Sequence, residues 1–149
     1  MNDAKDSLRI IVADASKVTR KMIGKVIAES VPEAEVVGCN TAAEALEILI
    51  EDIGDNGDGK LDVILTDVYL KGGLTGKELL EKVRDEMGLT RGQLPVLVMT
   101  GDDNPKNQSA LIKAGANDLV EKPIEEKTLI NKLRFQLQLA AGFESPTKA

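Results

Sequence analysis

Short apolar runs of strand length alternate with segments of helical periodicity, and this alternation occurs five times along the chain. A run of about four to eight branched apolar residues is typical of a buried strand, whereas apolar residues at every third or fourth position indicate an amphipathic helix. Five such pairs predict an α/β fold, in which helices cover both faces of one doubly wound parallel sheet. The predicted strands are Leu8–Ala13, Glu35–Cys39, Leu61–Thr66, Leu94–Met99 and Asn117–Glu121.

Capping residues place the predicted helices between these strands. Ser16 is suited to cap a first helix that runs to about Ser30. Threonine and glutamate at capping-box spacing open the second and third helices, Asn104-Pro105 is suited to open the fourth, and the fifth spans about Glu125–Leu139. The two boxes are Thr41-Ala42-Ala43-Glu44 and Thr75-Gly76-Lys77-Glu78, and the glycines suited to end helices are Gly54, Gly88 and Gly115.

Composition excludes several kinds of chemistry. The chain of 149 residues has no histidine, which excludes histidine-based acid-base catalysis and imidazole metal ligands. Cys39 is the only cysteine, so we expect a small buried side chain rather than a disulfide. The acidic segment of residues 55–60 superficially resembles a calcium loop, but Gly54 and Leu65 would occupy its first and last ligand positions. We interpret it as a polar turn.

Charge and hydropathy indicate the location of the protein and the class of its binding partners. The net charge of −6 argues against a nucleic-acid or anionic-membrane surface, so protein partners are expected. The apolar runs have strand length and fall short of the ~20 residues that span a bilayer, and the polar first residues do not form a signal peptide. We therefore expect one cytoplasmic domain with no membrane association.

Polar side chains follow four of the predicted strands. Asp14, Asp67 and Thr100 come directly after the first, third and fourth strands, and Lys122 follows the fifth. The binding crevice of a doubly wound sheet lies outside the carboxyl ends of its strands, so these four residues are expected at one edge. Each residue alone is better explained as an exposed side chain or a cap. Their joint placement favours a site.

The residue types in this group are suited to phosphoryl transfer. Two carboxylates with main-chain carbonyls and water match the ligands that Mg²⁺ prefers, so Asp14 and Asp67 are candidate ligands. If Asp67 attacks a phosphoryl donor, the Lys122 ammonium and the Thr100 hydroxyl would neutralise the charge on the transferred oxygens. The group therefore predicts an aspartyl-phosphate site.

Four motifs resemble the receiver domain of bacterial two-component response regulators, the chemotaxis-type fold. They are Val12-Ala13-Asp14-Ala15-Ser16, Leu65-Thr66-Asp67 with Gly76 downstream, Val98-Met99-Thr100-Gly101 and Glu121-Lys122-Pro123, and the resemblance covers about residues 7–140. It implies a flavodoxin-like sheet in the order 2-1-3-4-5. It also implies a receiver domain over residues 1–140, with a tail or linker over residues 141–149.

The resemblance further implies roles for individual residues. Asp67 would accept a phosphoryl group from a sensor histidine kinase or phosphotransfer protein and slowly lose it again. Mg²⁺ would be held by Asp14, Asp67 and the main-chain carbonyl of Tyr69, while Thr100 and Lys122 would grip the phosphoryl group. The fourth helix, fifth strand and fifth helix would carry the signal to an output domain or protein, and by analogy could form a homodimer.

Three positions depart from the family pattern. Ala13 stands where receivers of this type usually have the first of two adjacent acids, so we expect weakened Mg²⁺ binding. The loop between Asp67 and Gly76 lacks the usual proline and is one residue longer. Leu119 occupies the position of the usual switch aromatic, so any switch must move Thr100 and its loop against aliphatic packing.

Two other classes of function remain as alternatives. A receiver-like interaction module would keep the fold without phosphate chemistry, as Ala13 and Leu119 allow. A flavin binder or an aspartyl phosphatase would use the same layout. The flavin binder is disfavoured because the first strand is not followed by a glycine-rich phosphate loop. The phosphatase is disfavoured because Tyr69 stands where a second acid is required, and little sequence is left for a cap.

Overall fold

The computed structural model describes residues 8–53 and 61–144, with side chains to residue 138. The strands are β1 (Leu8–Ala13), β2 (Ala34–Cys39), β3 (Val63–Asp67), β4 (Val96–Thr100) and β5 (Asp118–Glu121). The helices are α1 (Lys17–Ser30), α2 (Ala42–Ile53), α3 (Gly76–Glu81, continued by a π-helical turn over Lys82–Glu86), α4 (Pro105–Ala114) and α5 (Glu126–Glu144). The predicted helix end at Gly54 and polar turn at residues 55–60 lie outside the described residues.

The sheet is parallel throughout, in the order β2-β1-β3-β4-β5. The predicted α/β class, the strand order and the alternation of strands with five helices are therefore confirmed. β1 and β3 are adjacent although they are not consecutive in sequence, and the order reverses between them. This reversal opens the crevice at the carboxyl edge, where loops from neighbouring strands turn to opposite faces.

Successive strand residues contribute to two different cores. Ile10, Val12 and Leu65 face one side of the sheet, where they pack with side chains of α1 and α5. Ile11 and Ile64 face the other side and pack with side chains of α2, α3 and α4. All of these strand residues are fully buried, and their alternation follows from the two-residue repeat of a strand. The two aliphatic cores hold the strand ends in fixed positions.

Two strands lie slightly later than predicted. β3 begins at Val63 rather than Leu61 and includes Asp67, because Ile10 pairs with Val63 and Asp67 pairs with Met99. β4 likewise begins at Val96 and ends at Thr100. Thus, Asp67 and Thr100 are the final residues of their strands, which ties their backbones to the sheet.

Other sequence-based expectations have mixed outcomes. Cys39 is buried as expected, and burial raises the pKa of its thiol to about 11. α5 continues to Glu144, past the predicted end at Leu139 and into the segment predicted to be a tail. Within the described ranges, none of the helices combines the length and apolar character needed to cross a bilayer.

Candidate functional site

The carboxyl edge of the sheet carries the candidate residues. Asp14 follows β1, Asp67 and Thr100 end β3 and β4, and Lys122 follows β5. The Lys122 ammonium lies 3.1 Å from Asp67 Oδ2 and 3.4 Å from Asp14 Oδ2. The structure therefore brings the two predicted acids and the predicted cation into one cluster.

Each carboxylate of the cluster is held at both oxygens. Ser16 donates its main-chain N–H to Asp14 Oδ1 at 2.8 Å, and Val68 donates to Asp67 Oδ1 at 2.9 Å. The Oδ2 atoms face Lys122. Asp14 is 1% exposed and Asp67 is 8% exposed, so both acids depend on these contacts in place of water. The geometry fixes the direction of both side chains.

Burial raises the pKa of Asp67 above its usual range. The nearby Asp14 charge adds to the rise, while the hydrogen bond and charge of Lys122 and the N–H of Val68 oppose it. Desolvation is the largest effect, so the ionised form of Asp67 is less stable in the folded protein than in the unfolded chain.

This pKa gives a stability prediction. Because the native protein binds more protons than the unfolded chain across the raised pKa of Asp67, this residue's contribution to stability falls as pH rises through that range. Asp67→Asn removes the contribution, so in EDTA the variant should exceed the wild type in urea midpoint at pH 7. Near about pH 3 this ionisation term should vanish, because Asp67 is protonated in both states.

Urea denaturation of the wild type and of Asp67→Asn at these two pH values measures the effect. Asp103→Asn is the matched control, because Asp103 is exposed on the loop at the same edge. The assignment would be wrong if the gain of Asp67→Asn over the wild type were absent at neutral pH or did not shrink on acidification.

Thr100 is buried at the end of β4, and its hydroxyl faces the following loop. Asp102 donates its main-chain N–H to Thr100 Oγ1 at 3.0 Å. Lys122 donates its main-chain N–H to the Thr100 carbonyl at 2.8 Å, which connects two of the predicted site residues through their backbones. The Thr100 hydroxyl keeps a proton to donate, but its observed partner is the loop.

The loop after Asp67 is held at two points. The Gly76 N–H donates to the Val68 carbonyl at 2.7 Å, and the Lys71 N–H donates to the Asn40 carbonyl at 2.9 Å. Tyr69 lies between these anchors and is 73% exposed, so its ring is largely in contact with solvent. Only the main chain of Tyr69 was predicted to take part in the site.

The acids present fit a hard divalent cation with few protein ligands. Ala13 is fully buried in the aliphatic core, so Asp14 is the single acid at the end of β1. Across residues 8–53 and 61–144, no group of three or more acidic, cysteine or histidine side chains could hold a metal. Mg²⁺ nevertheless commonly binds through one or two carboxylates and keeps several waters. The donor chemistry of Asp14 and Asp67 meets that requirement.

Sequence reasoning missed Arg20 as part of this edge. Its Nη1 donates to the main-chain carbonyl of Asp14 at 2.6 Å. The sequence gives little indication of this contact, because every residue type supplies a main-chain oxygen that can accept the bond. Its position one turn after the helix cap Ser16 was the only available indication.

Solved structures share this fold. The chemotaxis response regulator CheY4 of Vibrio cholerae is 24% identical with a TM-score of 0.71, and the alignment covers 88% of this chain and 99% of that one. The receiver domain of the Francisella response regulator 1452 is 23% identical with a TM-score of 0.73, covering 89% and 98%. At these identities the likeness shows the fold alone.

Residues 10–134 match the family model of the response regulator receiver domain. The chain therefore belongs to the receiver domain family of two-component response regulators. The two-component response regulator ORR6 of Oryza sativa subsp. japonica is 29% identical over 123 residues, covering 83% of this chain and 67% of that protein. ARR15 of Arabidopsis thaliana, also a two-component response regulator, is 32% identical, covering 79% and 57%. The chain thus spans only part of these relatives' length.

Proposed function

We propose that this receiver domain is phosphorylated on Asp67 by a sensor histidine kinase or a phosphotransfer protein. The observation that carries the proposal is the pair of buried carboxylates, Asp14 and Asp67, that share the Lys122 ammonium. In the reaction the phosphorus–nitrogen bond of a phosphohistidine breaks and a bond from phosphorus to an Asp67 oxygen forms. The imidazole leaves with the electron pair of the broken bond.

The residues around Asp67 have separate tasks in this proposal. Asp14, Asp67 and the Tyr69 carbonyl would hold Mg²⁺, which supplies positive charge to the transferred oxygens. Lys122 already faces both carboxylates and would neutralise further charge. The Thr100 hydroxyl would donate to the phosphoryl group, and hydrolysis of the acyl phosphate would slowly return the free Asp67.

The output surface would be the groove between α4, β5 and α5. It has a volume of about 650 Å³ and mixes apolar with charged side chains, among them Ile112, Leu119, Glu121, Glu125 and Lys132. Phosphorylation replaces the single negative charge of the Asp67 carboxylate with a phosphoryl group that carries about −1.5 to −2, close to Thr100, whose loop leads directly into α4. We propose that this change alters binding of an output domain, a partner protein or a second copy of the chain at the groove.

Phosphorylation by acetyl phosphate with Mg²⁺ tests the proposal. Intact-mass analysis should find one added phosphoryl group on the wild type and on Asp103→Asn, and none on Asp67→Asn. Tyr69 is the only tyrosine and there is no tryptophan, so tyrosine fluorescence reports on the loop beside Asp67 alone. A Mg²⁺ titration should change this fluorescence in the wild type and much less in Asp14→Asn.

A phosphorylation-independent interaction module is the second candidate. The buried Ala13 favours it, because the site has one acid fewer than receivers of this type usually carry. Such a module would show neither the phosphoryl adduct nor Mg²⁺ binding that depends on Asp14. The same two measurements therefore separate the candidates.

A further inference from the structure

Arg20 reaches back from α1 to the end of β1. Its guanidinium donates from Nη1 to the Asp14 carbonyl at 2.6 Å, and the side chain is half-buried. Gly38 of the neighbouring strand lies beside it: a Cβ at Gly38 would make ordinary van der Waals contact with Arg20, at 3.5 Å from Cδ and 3.7 Å from Nε. The arginine is therefore packed between two elements and is not a free surface side chain.

Arg20 completes the set of partners around Asp14. The Asp14 N–H donates to the Cys39 carbonyl at 3.0 Å, and Asp14 Oδ1 accepts from Ser16 at 2.8 Å. Asp14 Oδ2 lies 3.4 Å from Lys122 Nζ. The carbonyl is the remaining polar atom of this almost fully buried residue, and Arg20 satisfies it. Holding this carbonyl fixes the peptide plane between Asp14 and Ala15, and with it the turn that presents the Ser16 N–H.

We propose that Arg20 is a positioning residue, which fixes the Asp14 carboxylate for a divalent cation. The inference rests on the proposed phosphoryl-transfer function. The orientation of the Asp14 carboxylate matters more in this chain because Ala13 leaves Asp14 as the single acid at the end of β1. A ligand set with two carboxylates loses much of its affinity when one of them is misaligned, since groups that orient ligands typically contribute about 10-fold to 100-fold in metal affinity.

An electrostatic role and a positioning role for Arg20 predict opposite changes in Mg²⁺ affinity when the residue is replaced. Removing a positive charge near a cation site strengthens cation binding if electrostatics dominates. Removing a positioning hydrogen bond weakens it. Arg20→Met keeps much of the apolar stem and removes both the charge and the donors, so the sign of the change in Mg²⁺ affinity identifies the role.

The experiment combines Mg²⁺ titration with nuclear magnetic resonance of the full chain. By Tyr69 fluorescence, Arg20→Met should raise the Mg²⁺ dissociation constant about 10-fold, and Arg20→Lys should recover part of the loss. Without metal, the Ser16 amide and the Asp14 carboxyl carbon should shift in Arg20→Met. Lys21→Met is the matched control, because Lys21 is exposed on the same helix, and it should change the constant less than about 2-fold.

The outcomes are distinguishable. Unchanged resonances of Asp14 and Ser16 in Arg20→Met, or tighter Mg²⁺ binding, would overturn the positioning role even if the melting temperature fell. A wild-type protein that binds no Mg²⁺ would instead refute the metal step of the proposed function. In that case the resonances of the metal-free protein still decide whether Arg20 orients Asp14.

Discussion

Gly76→Ala is expected to destabilise the protein by about 3 kcal/mol, because the added methyl group would meet backbone that cannot move freely. A Cβ at Gly76 would lie 2.0 Å from the Asp67 carbonyl oxygen, 3.0 Å from its carbonyl carbon and 3.1 Å from Val68 Cα. Two of these atoms belong to Asp67, the last residue of β3, and the third belongs to the next residue. The clash is relieved only if α3 and the end of the strand move apart.

The same movement should reduce phosphorylation. Asp67 pairs with Met99 through the sheet, and its carboxylate is held by the Val68 N–H at 2.9 Å. Displacing this segment disturbs both the proposed nucleophile and the main chain that leads to Tyr69. We expect at least a 10-fold slower reaction with acetyl phosphate at a temperature where the variant is still folded, since misplacement by about 1 Å costs about 100-fold in positioned reactions.

Gly73→Ala is the control for Gly76→Ala. Gly73 lies in the loop that leads to Gly76 and has no atom within 4 Å of an added Cβ, so its substitution should stay within about 0.5 kcal/mol. Thermal unfolding should place Gly76→Ala about 6–12 °C below the wild type. Equal melting temperatures for the two variants would mean that α3 can shift without cost and that the close approach is unimportant.

The alternation of strands and helices was sufficient to predict the sheet and its two helix layers. Parallel strands of a doubly wound sheet end at one edge, so the proximity of Asp14, Asp67 and Lys122 followed from their positions after the strands. The order of the strands did not follow from alternation, which is the same for any order. It came from the resemblance to receivers.

The contacts that sequence could not predict share one property. Arg20 bonds to the Asp14 carbonyl and Gly76 approaches the Asp67 carbonyl, and every residue type supplies a main-chain carbonyl. Such contacts leave no pattern of residue types at one of their two ends. Strand boundaries were displaced for a related reason, since the start of β3 depends on pairing with β1, which is distant in sequence.

A network at the opposite edge of the sheet was also not predicted. The half-buried guanidinium of Arg84 donates to the carbonyls of Leu89, Thr90, Leu94 and Gly115 at 2.8 to 3.0 Å. A fifth bond, of 2.9 Å, goes to Asn117 Oδ1. These partners lie in two connections, the one between α3 and β4 and the one between α4 and β5. One side chain therefore holds both connections to the π-helical turn that carries Arg84.

Asn117 extends this network in two further directions. Its Oδ1 also accepts from the Val96 N–H at 3.0 Å, and its Nδ2 donates to the Arg91 carbonyl and to Gln136 Oε1, both at 3.1 Å. Gln136 is buried on α5, so the network also reaches this helix. Among the carbonyls that Arg84 satisfies, those of the buried residues Leu94 and Gly115 would otherwise lack a donor at the amino edge of the sheet.

Arg84→Met is expected to destabilise the protein by about 3 kcal/mol. Two effects oppose each other. Burial, with the Arg91 charge second, lowers the pKa of Arg84 to about 10, which means that the cation is costly to bury. Removing it relieves that cost but takes the donor from the carbonyls of Leu89, Leu94 and Gly115, at about 1–3 kcal/mol for each one that water cannot reach. The Thr90 carbonyl and the Asn117 oxygen keep main-chain donors. The cost of leaving several carbonyls without a donor should exceed the free energy gained by no longer burying the Arg84 charge.

Urea denaturation of matched variants tests this balance. Lys82→Met changes the same charge on the same π-helical turn, where Lys82 forms only a surface pair with Glu86 at 3.1 Å. It should therefore cost less than about 0.5 kcal/mol. Arg84→Lys should lie between the two, because an ammonium has three donors and cannot reproduce the fork of a guanidinium. A double-mutant cycle with Asn117→Ala should give a coupling of at least about 1 kcal/mol.

The rate of phosphorylation distinguishes a loss of this network from damage to the proposed site. Arg84 lies at the amino edge of the sheet and Asp67 at the carboxyl edge, so folded Arg84→Met should react with acetyl phosphate within about 2-fold of the wild-type rate. Gly76→Ala, in contrast, should lose both stability and reactivity. If Arg84→Met were as stable as Lys82→Met, relief of the buried charge would equal the loss of its five bonds, and the network would contribute no net stability.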